Sequence, residues 1–196
     1  MKKFKKNQYY LTNNKIDYLV VFKLIQKNIP RSIFSKLSYN FFKTIIKKKI
    51  IHIFLIKKKD KIASVISVIS PKNYNLLKKE IFLNLIINPI NFLLNLSFFI
   101  SLMDRDDNPQ IKGKEKQYLH LLHLIIFKKY FSDISLKKKD NTINFFYKKI
   151  IKSFNAKFFY LCYEVSNKDA HNYYKRNNFT IYKKSTKTIF LKKKFL

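Results

Sequence analysis

The segment Asn167 to Phe179, NKDAHNYYKRNNF, constrains the architecture more than any other stretch of this chain. Val165 closes an apolar run, Asn167 is a helix-capping residue type, and Ala170, Tyr173 and Tyr174 follow at helical spacing. Asn178 suits a left-handed stop, because Asn tolerates positive φ better than any residue except Gly. Phe179 to Tyr182 reads as a strand that restarts at once. The spacing therefore predicts strand, short helix, tight stop and strand, with one tyrosine hydroxyl pointing away from the core.

The rest of the chain reads as alternating elements. Gln8 to Leu11 is a short strand, and Asp17 to Lys27 and Ser32 to Ile46 show helical periodicity around the break at Ile29-Pro30, with Ser32 as a cap. Ile50 to Ile56 and Ile62 to Ser70 are β-branched runs joined by the Lys57 to Lys61 turn, which predicts a hairpin. Helices follow around Asn73 to Leu85 and Ile90 to Ser101, then a polar loop from Asp104 to Lys116 and a strand from Tyr118 to Phe127. A basic loop is expected over Lys128 to Asp140 and a helix from Asn141 to Ser153. Phe158 to Val165 is a strand, and Phe179 to Tyr182 with Thr188 to Leu191 form a terminal hairpin. With 196 residues, 47% of them hydrophobic, no internal repeat and no linker, one domain over 1–196 is expected.

Formal net charge is +31, from 42 Lys+Arg against 11 Asp+Glu, which points toward polyanions. Nearly all the cations are Lys, with Arg only at 31, 105 and 176, whereas specific base recognition leans on arginine forks. The lysine runs at 47–49, 57–59, 137–139 and 192–194 sit at element ends as solvated turns, beside an enrichment in Lys, Asn, Ile and Phe that suits an AT-rich genome. Nucleic-acid binding is thus a rival reading and not the first choice. Cys162 stands alone in an apolar run, so no disulfide framework arises, and a reducing cytoplasm is the expected compartment. The start MKKFKK leads into the polar stretch Asn7 to Asn14, which is not a secretory signal. Ile81 to Met103 carries no charge and is long enough to span a bilayer, but Asn84, Asn88, Asn91 and Asn95 lay a polar stripe along it and Pro89 divides it. Amphipathic helices packed on the domain are expected there, with no transmembrane span and at most a peripheral membrane contact.

The residues Asn167, Ala170, Tyr174 and Phe179 also carry a resemblance. They match in register a pattern of the GNAT superfamily of acyl-CoA-dependent N-acyltransferases: Asn, two residues, Ala, three residues, Tyr, three residues, Gly-Phe. Asn178 stands where that family usually has Gly. The resemblance implies an α/β (α+β) fold with a mixed central sheet flanked by helices, here with extra helices before the central strand, and an acetyltransferase using acetyl-CoA as cosubstrate on a primary amine. It implies that Asn167 contacts the pantetheine arm and that Tyr174 protonates the departing thiolate. A tyrosine titrates near 10, so at neutral pH it holds the proton such a step needs. Tyr173 is left to the core.

In the central strand, LHLLHLIIF aligns with a family pattern in which His120 replaces an amine-activating Glu, and a histidine titrates in the range such a base needs. Read as a regular strand, the run places His120 and His123 on opposite faces. The resemblance implies that Ile126, at the strand's end, is a cofactor-binding position. The family's glycine-rich phosphate loop has no counterpart: the equivalent stretch, Leu136 to Thr142, reads LKKKDNT. Lys137, Lys138 and Lys139 would supply ammonium groups to the phosphates, with Asn141 and the amides at the helix start as donors. A degenerate, non-catalytic binding module on the same fold is therefore a second rival. With one Gly in the chain there is no Walker loop or dinucleotide fingerprint, and the four His lack metal spacing. Asp104, Asp106 and Asp107 lack the rest of a calcium loop, and no serine nucleophile elbow is present.

Overall fold

The computed structural model describes residues 4–87, except positions 7, 15 and 31, and residues 117–195. Strands β1 (Phe4–Lys6) and β2 (Tyr9–Thr12) come first, followed by helices α1 (Tyr18–Asn28), α2 (Ile33–Lys36) and α3 (Tyr39–Lys47). Strands β3 (Ile51–Lys58) and β4 (Lys61–Ile69) form the expected hairpin, and α4 (Tyr74–Ile87) follows. Then come β5 (Tyr118–Ile126), α5 (Leu136–Ser153), β6 (Phe158–Glu164), α6 (Lys168–Arg176), β7 (Thr180–Lys184) and β8 (Thr188–Lys194). These strands make one mixed sheet in the order β1-β2-β3-β4-β5-β6-β8-β7, with β5 and β6 the parallel pair.

Two layers of helix cover the sheet, as alternation along the strands requires. Phe54 and Ile56 of β3 face one core with Phe146 and Ile150 of α5 and Tyr173 and Tyr174 of α6, while Ile53 and Leu55 face the other with Phe22, Phe42 and Leu77 of α1, α3 and α4. The helical run expected over Ser32 to Ile46 is broken between α2 and α3, where the Ser38 hydroxyl caps α3 by accepting from the Phe41 amide at 3.2 Å. Among the described residues no helix is long and apolar enough to cross a membrane. Residues 81–87 belong to α4, and the helix expected over Ile90 to Ser101 and the loop over Asp104 to Lys116 lie outside the described residues.

The helix expected from Asn141 starts five residues earlier. Ser135 is its cap, accepting from the Lys138 amide at 3.3 Å, so LKKKDNT is the first two turns of α5 and the loop before it is 127–135. Its lysines face water while Asp140, Thr142 and Ile143 are buried, so the amphipathic register already runs through the basic stretch.

Three helices end in the same stop, each without glycine. Lys49, Asn155 and Asn178 have φ of 55°, 51° and 58°. In each case the next amide bonds back to the carbonyl five residues before it: Ile50 to Ile45 and Ala156 to Ile151 at 3.0 Å, and Phe179 to Tyr174 at 3.0 Å. Each is a Schellman motif, which satisfies carbonyls the helix end leaves open. The β3–β4 turn uses Lys59 and Asp60, both at positive φ, as a two-residue hairpin with matching twist prefers.

Candidate active site

The sheet opens at its centre. β5 and β6 pair at Tyr118–Phe158, Leu119–Phe159 and His120–Tyr160, and the ladder stops there. Beyond it β5 continues to Ile126 against β4, and β6 continues to Glu164 against β8. The two strands diverge, so each presents unpaired backbone to the gap. A bulge aids the divergence: Ser67 pairs with His123 but Val68 with Leu121, leaving Leu122 extra. The bulge corrects the expectation for the histidines, because one added residue shifts the side-chain phase. His120 stacks on Tyr74 and His123 meets Phe34 edge-on at 5.0 Å, so both lie on the α1–α4 face.

A cleft of about 540 Å³ lies along the end of β5 and takes walls from both helix layers. Asn28 and Ile29 border it on one side, Leu124 to Ile126 form its floor, and the α6 residues Ala170, Tyr173, Tyr174 and Arg176 close the other side with Asn167. Of the residues singled out from sequence, Ile126, Lys139, Asn167 and Tyr174 line this cleft. Lys137, Lys138 and Asn141 lie on the exposed side of α5 and are not in its wall. His120 is elsewhere: 7% exposed, roughly 20 Å along β5 from Ile126, with Nδ1 unpartnered and burial pushing its pKa down to about 4.

Asn167 caps α6 through Oδ1, which accepts from the Ala170 amide at 3.0 Å. Tyr174 is 8% exposed and its ring packs on Phe179 at 5.1 Å and Tyr163 at 5.8 Å. Burial pushes its hydroxyl well above the usual tyrosine range, as it does that of Tyr173, so both stay protonated at neutral pH. The two differ in partners: the Tyr173 hydroxyl sits 3.4 Å from that of Tyr147 in the core.

The basic side of the cleft is formed by Lys128, Lys139 and Arg176. Arg176 is held by Asp140, whose Oδ2 accepts from Nε at 2.7 Å, while Oδ1 of the same buried carboxylate has no partner. Lys128 reaches Asp169 at only 3.8 Å, both fully solvated, an ion pair of little energy. Lys137 to Lys139 stand in the first turn of α5, at the positive end of its dipole and with no acidic residue in that turn. Sequence reading missed Lys128 and Arg176. For Arg176 a signal existed, since Asp169, Asn172, Tyr173 and Arg176 recur at spacings of three, one and three, which is one face of a helix.

The glycine-less loop does not fill the cleft. Within 127–135 only Lys128 contributes to the wall. Phe131 instead turns inward and stacks on Tyr9 at 4.9 Å. The Tyr130 carbonyl accepts from the Tyr9 hydroxyl at 2.7 Å and from Lys58 Nζ at 3.1 Å, and Lys58 also pairs with Asp133 at 2.6 Å. The loop is thereby fastened to β2 and β3.

No protein-family model and no curated protein matches the sequence. Solved structures do match in fold. A GNAT-family acetyltransferase from Listeria monocytogenes is 13% identical with a TM-score of 0.54, covering 99% of this chain and 100% of that one. The ribosomal-protein-S5-alanine acetyltransferase of Vibrio fischeri is 12% identical at 0.56, covering 99% and 97%. The Campylobacter jejuni N-acetyltransferase PseH, in complex with acetyl coenzyme A, is 15% identical at 0.52, covering 95% and 98%. By this likeness over nearly the whole chain, the mixed sheet and its flanking helices have the GNAT fold.

Proposed function

We propose that this protein is an N-acetyltransferase that moves an acetyl group from acetyl-CoA to a primary amine of a small molecule or a protein. The observation that carries the reading is the cleft beside β5, near where β5 and β6 part, whose wall holds Tyr174 together with the cations Lys128, Lys139 and Arg176. Acetyl-CoA is a thioester on a long arm that ends in phosphates, and the cleft offers the matching sequence of groups. Unpaired strand edges provide donors and acceptors for the amides of the arm. Lys128, Lys139 and Arg176 provide charge for the phosphates, in place of the bare amides of a glycine loop. The inward-turned loop leaves that approach open.

In the reaction the amine lone pair attacks the acetyl carbonyl carbon to form the C–N bond, the nitrogen gives its surplus proton to solvent, the C–S bond breaks, and the departing sulfur takes a proton. Tyr174, a residue of the cleft wall, supplies that proton from its hydroxyl, and solvent restores it. Asn167 holds the start of α6 in place through its cap and so fixes where Tyr174 stands. The cytoplasm, where acetyl-CoA and free thiols coexist, is the proposed compartment.

The test is calorimetry with acetyl-CoA, followed by thiol-release assays against spermidine, glucosamine and alanine- or serine-starting hexapeptides. Micromolar binding with turnover of one amine is the expected result. Absence of any acetyl-CoA binding overturns the reading, and binding with no turnover on a broad amine panel favours the non-catalytic module.

A further inference from the structure

A chain of three side chains ties the α1–α2 turn to the central strands β4 and β5. His123 of β5 is 5% exposed, and its Nδ1 lies 2.5 Å from the Ser67 hydroxyl on β4. Its Nε2 lies 2.6 Å from the hydroxyl of Ser32. Ser32 is the cap of α2, where its oxygen also accepts from the Phe34 amide at 3.2 Å, and its own amide bonds to the Ile29 carbonyl at 2.9 Å. The turn between α1 and α2, which sets Asn28 and Ile29 in the cleft wall, is therefore fastened to the central strand through one imidazole.

Phe34 and Leu37 pack α2 into the core and the Ser35 hydroxyl donates to the Pro30 carbonyl at 2.6 Å, but the link through His123 joins this segment to the central strand by side-chain hydrogen bonds. α2 has four residues, too short to hold its place by its own hydrogen bonds. The bulge at Leu122 is what turns His123 toward the α1–α2 side, so the residue that widens the gap and the residue that anchors its rim follow from one irregularity. Burial keeps the imidazole neutral, and a neutral ring has one donor and one acceptor, which suits one hydroxyl on each nitrogen.

We propose that the Asn28–Ile29 wall, across the cleft from the α6 residues and itself uncharged, is the amine side, and that His123 is its positioning residue: through Ser32 and Ser67 it fixes the α1–α2 turn, and with it Asn28 and Ile29. The proposal rests on the acetyltransferase reading for its functional half. The amide of Asn reaches about where Nδ1 stands, and that of Gln about where Nε2 stands. His123→Asn therefore keeps the bond to Ser67 and loses Ser32, whereas His123→Gln keeps the bond to Ser32.

Two measurements on the full chain test it. Hydrogen exchange over residues 29–37 is expected to rise at least tenfold in His123→Asn and in Ser32→Ala, but less than threefold in His123→Gln, with β4 and β5 protected in all. Unchanged exchange in His123→Asn overturns the tie. For whichever amine of the panel above is turned over, KM for that amine is expected to rise about tenfold in His123→Asn, with acetyl-CoA affinity within twofold of wild type and His123→Gln near wild type. Altered exchange with an unchanged amine KM, or parallel losses for both substrates, overturns the positioning role. Failure of the wild type to bind acetyl-CoA removes the functional reading, while the exchange result still decides the tie.

Discussion

Phe179 donates its amide to the Tyr174 carbonyl at 3.0 Å while the two rings meet edge to face at 5.1 Å. One pair of residues thus makes both the backbone bond and the apolar contact of a helix stop, with Asn178 at positive φ between them. Replacing Asn178 with Val is expected to cost about 1–2 kcal/mol, since a β-branched residue resists that region, whereas Gly should be neutral or stabilising. Urea denaturation of the three proteins checks this through the shift in midpoint.

The neighbouring tyrosines should separate in function. Tyr174→Phe is expected to lower kcat about a hundredfold, within the range of a lost general acid, with little change in stability. Tyr173→Phe should leave kcat near wild type and cost about 1 kcal/mol through the hydroxyl contact with Tyr147. Because burial raises the Tyr174 pKa, the proton stays available throughout the neutral and mildly alkaline range, so the kcat profile should show no tyrosine limb below pH 10. Steady-state rates across pH read both.

Binding of acetyl-CoA should depend on side-chain charge. Lys139→Ala and Lys128→Ala are each expected to weaken it about three- to tenfold, the scale of a solvent-screened contact. Affinity should fall as salt rises, because exposed cations are screened within about 10 Å at 0.1 M. Arg176→Ala should do more, since it also strands the buried Asp140 and costs about 1–3 kcal/mol of stability. Calorimetry at two ionic strengths and thermal melts distinguish the cases.

His120 and His123 make the fold acid-sensitive. Burial lowers their pKa values to about 4 and about 3, below the 6.5 of an unfolded histidine. The unfolded chain therefore binds more protons between those limits, so stability is full above about pH 6.5 and falls as pH drops toward 3. His120 has an unpartnered Nδ1, and His120→Phe should flatten that fall while leaving neutral-pH stability equal or higher. Denaturation midpoints at pH 7 and pH 5 measure the difference.

Much of this architecture is legible in local chemistry. Asn167, Asn178 and Ser32 act as the caps and stop that their residue types suggest, and the β-branched runs flanking Lys57 to Lys61 do pair. What stayed hidden depends on phase. The basic stretch at Leu136 reads as a loop because lysines mask a helix whose buried face begins at Asp140 and Thr142. The histidines read as opposed until the extra residue at Leu122 turns them to one side. Ser32 and His123, 91 positions apart, meet only once the sheet has formed. Likewise Lys128 and Arg176 converge from a loop and a helix end that no sequence spacing connects.

The glycine-free stops at Lys49, Asn155 and Asn178 amount to a reserve of recoverable stability. Lys49 holds a side chain in a backbone region that costs an ordinary residue about 1–2 kcal/mol and Gly almost nothing, while Asn155 and Asn178 bear a smaller part of that cost. An engineer wishing to harden this protein would begin there, far from the cleft at Lys49 and Asn155, before altering a single core residue.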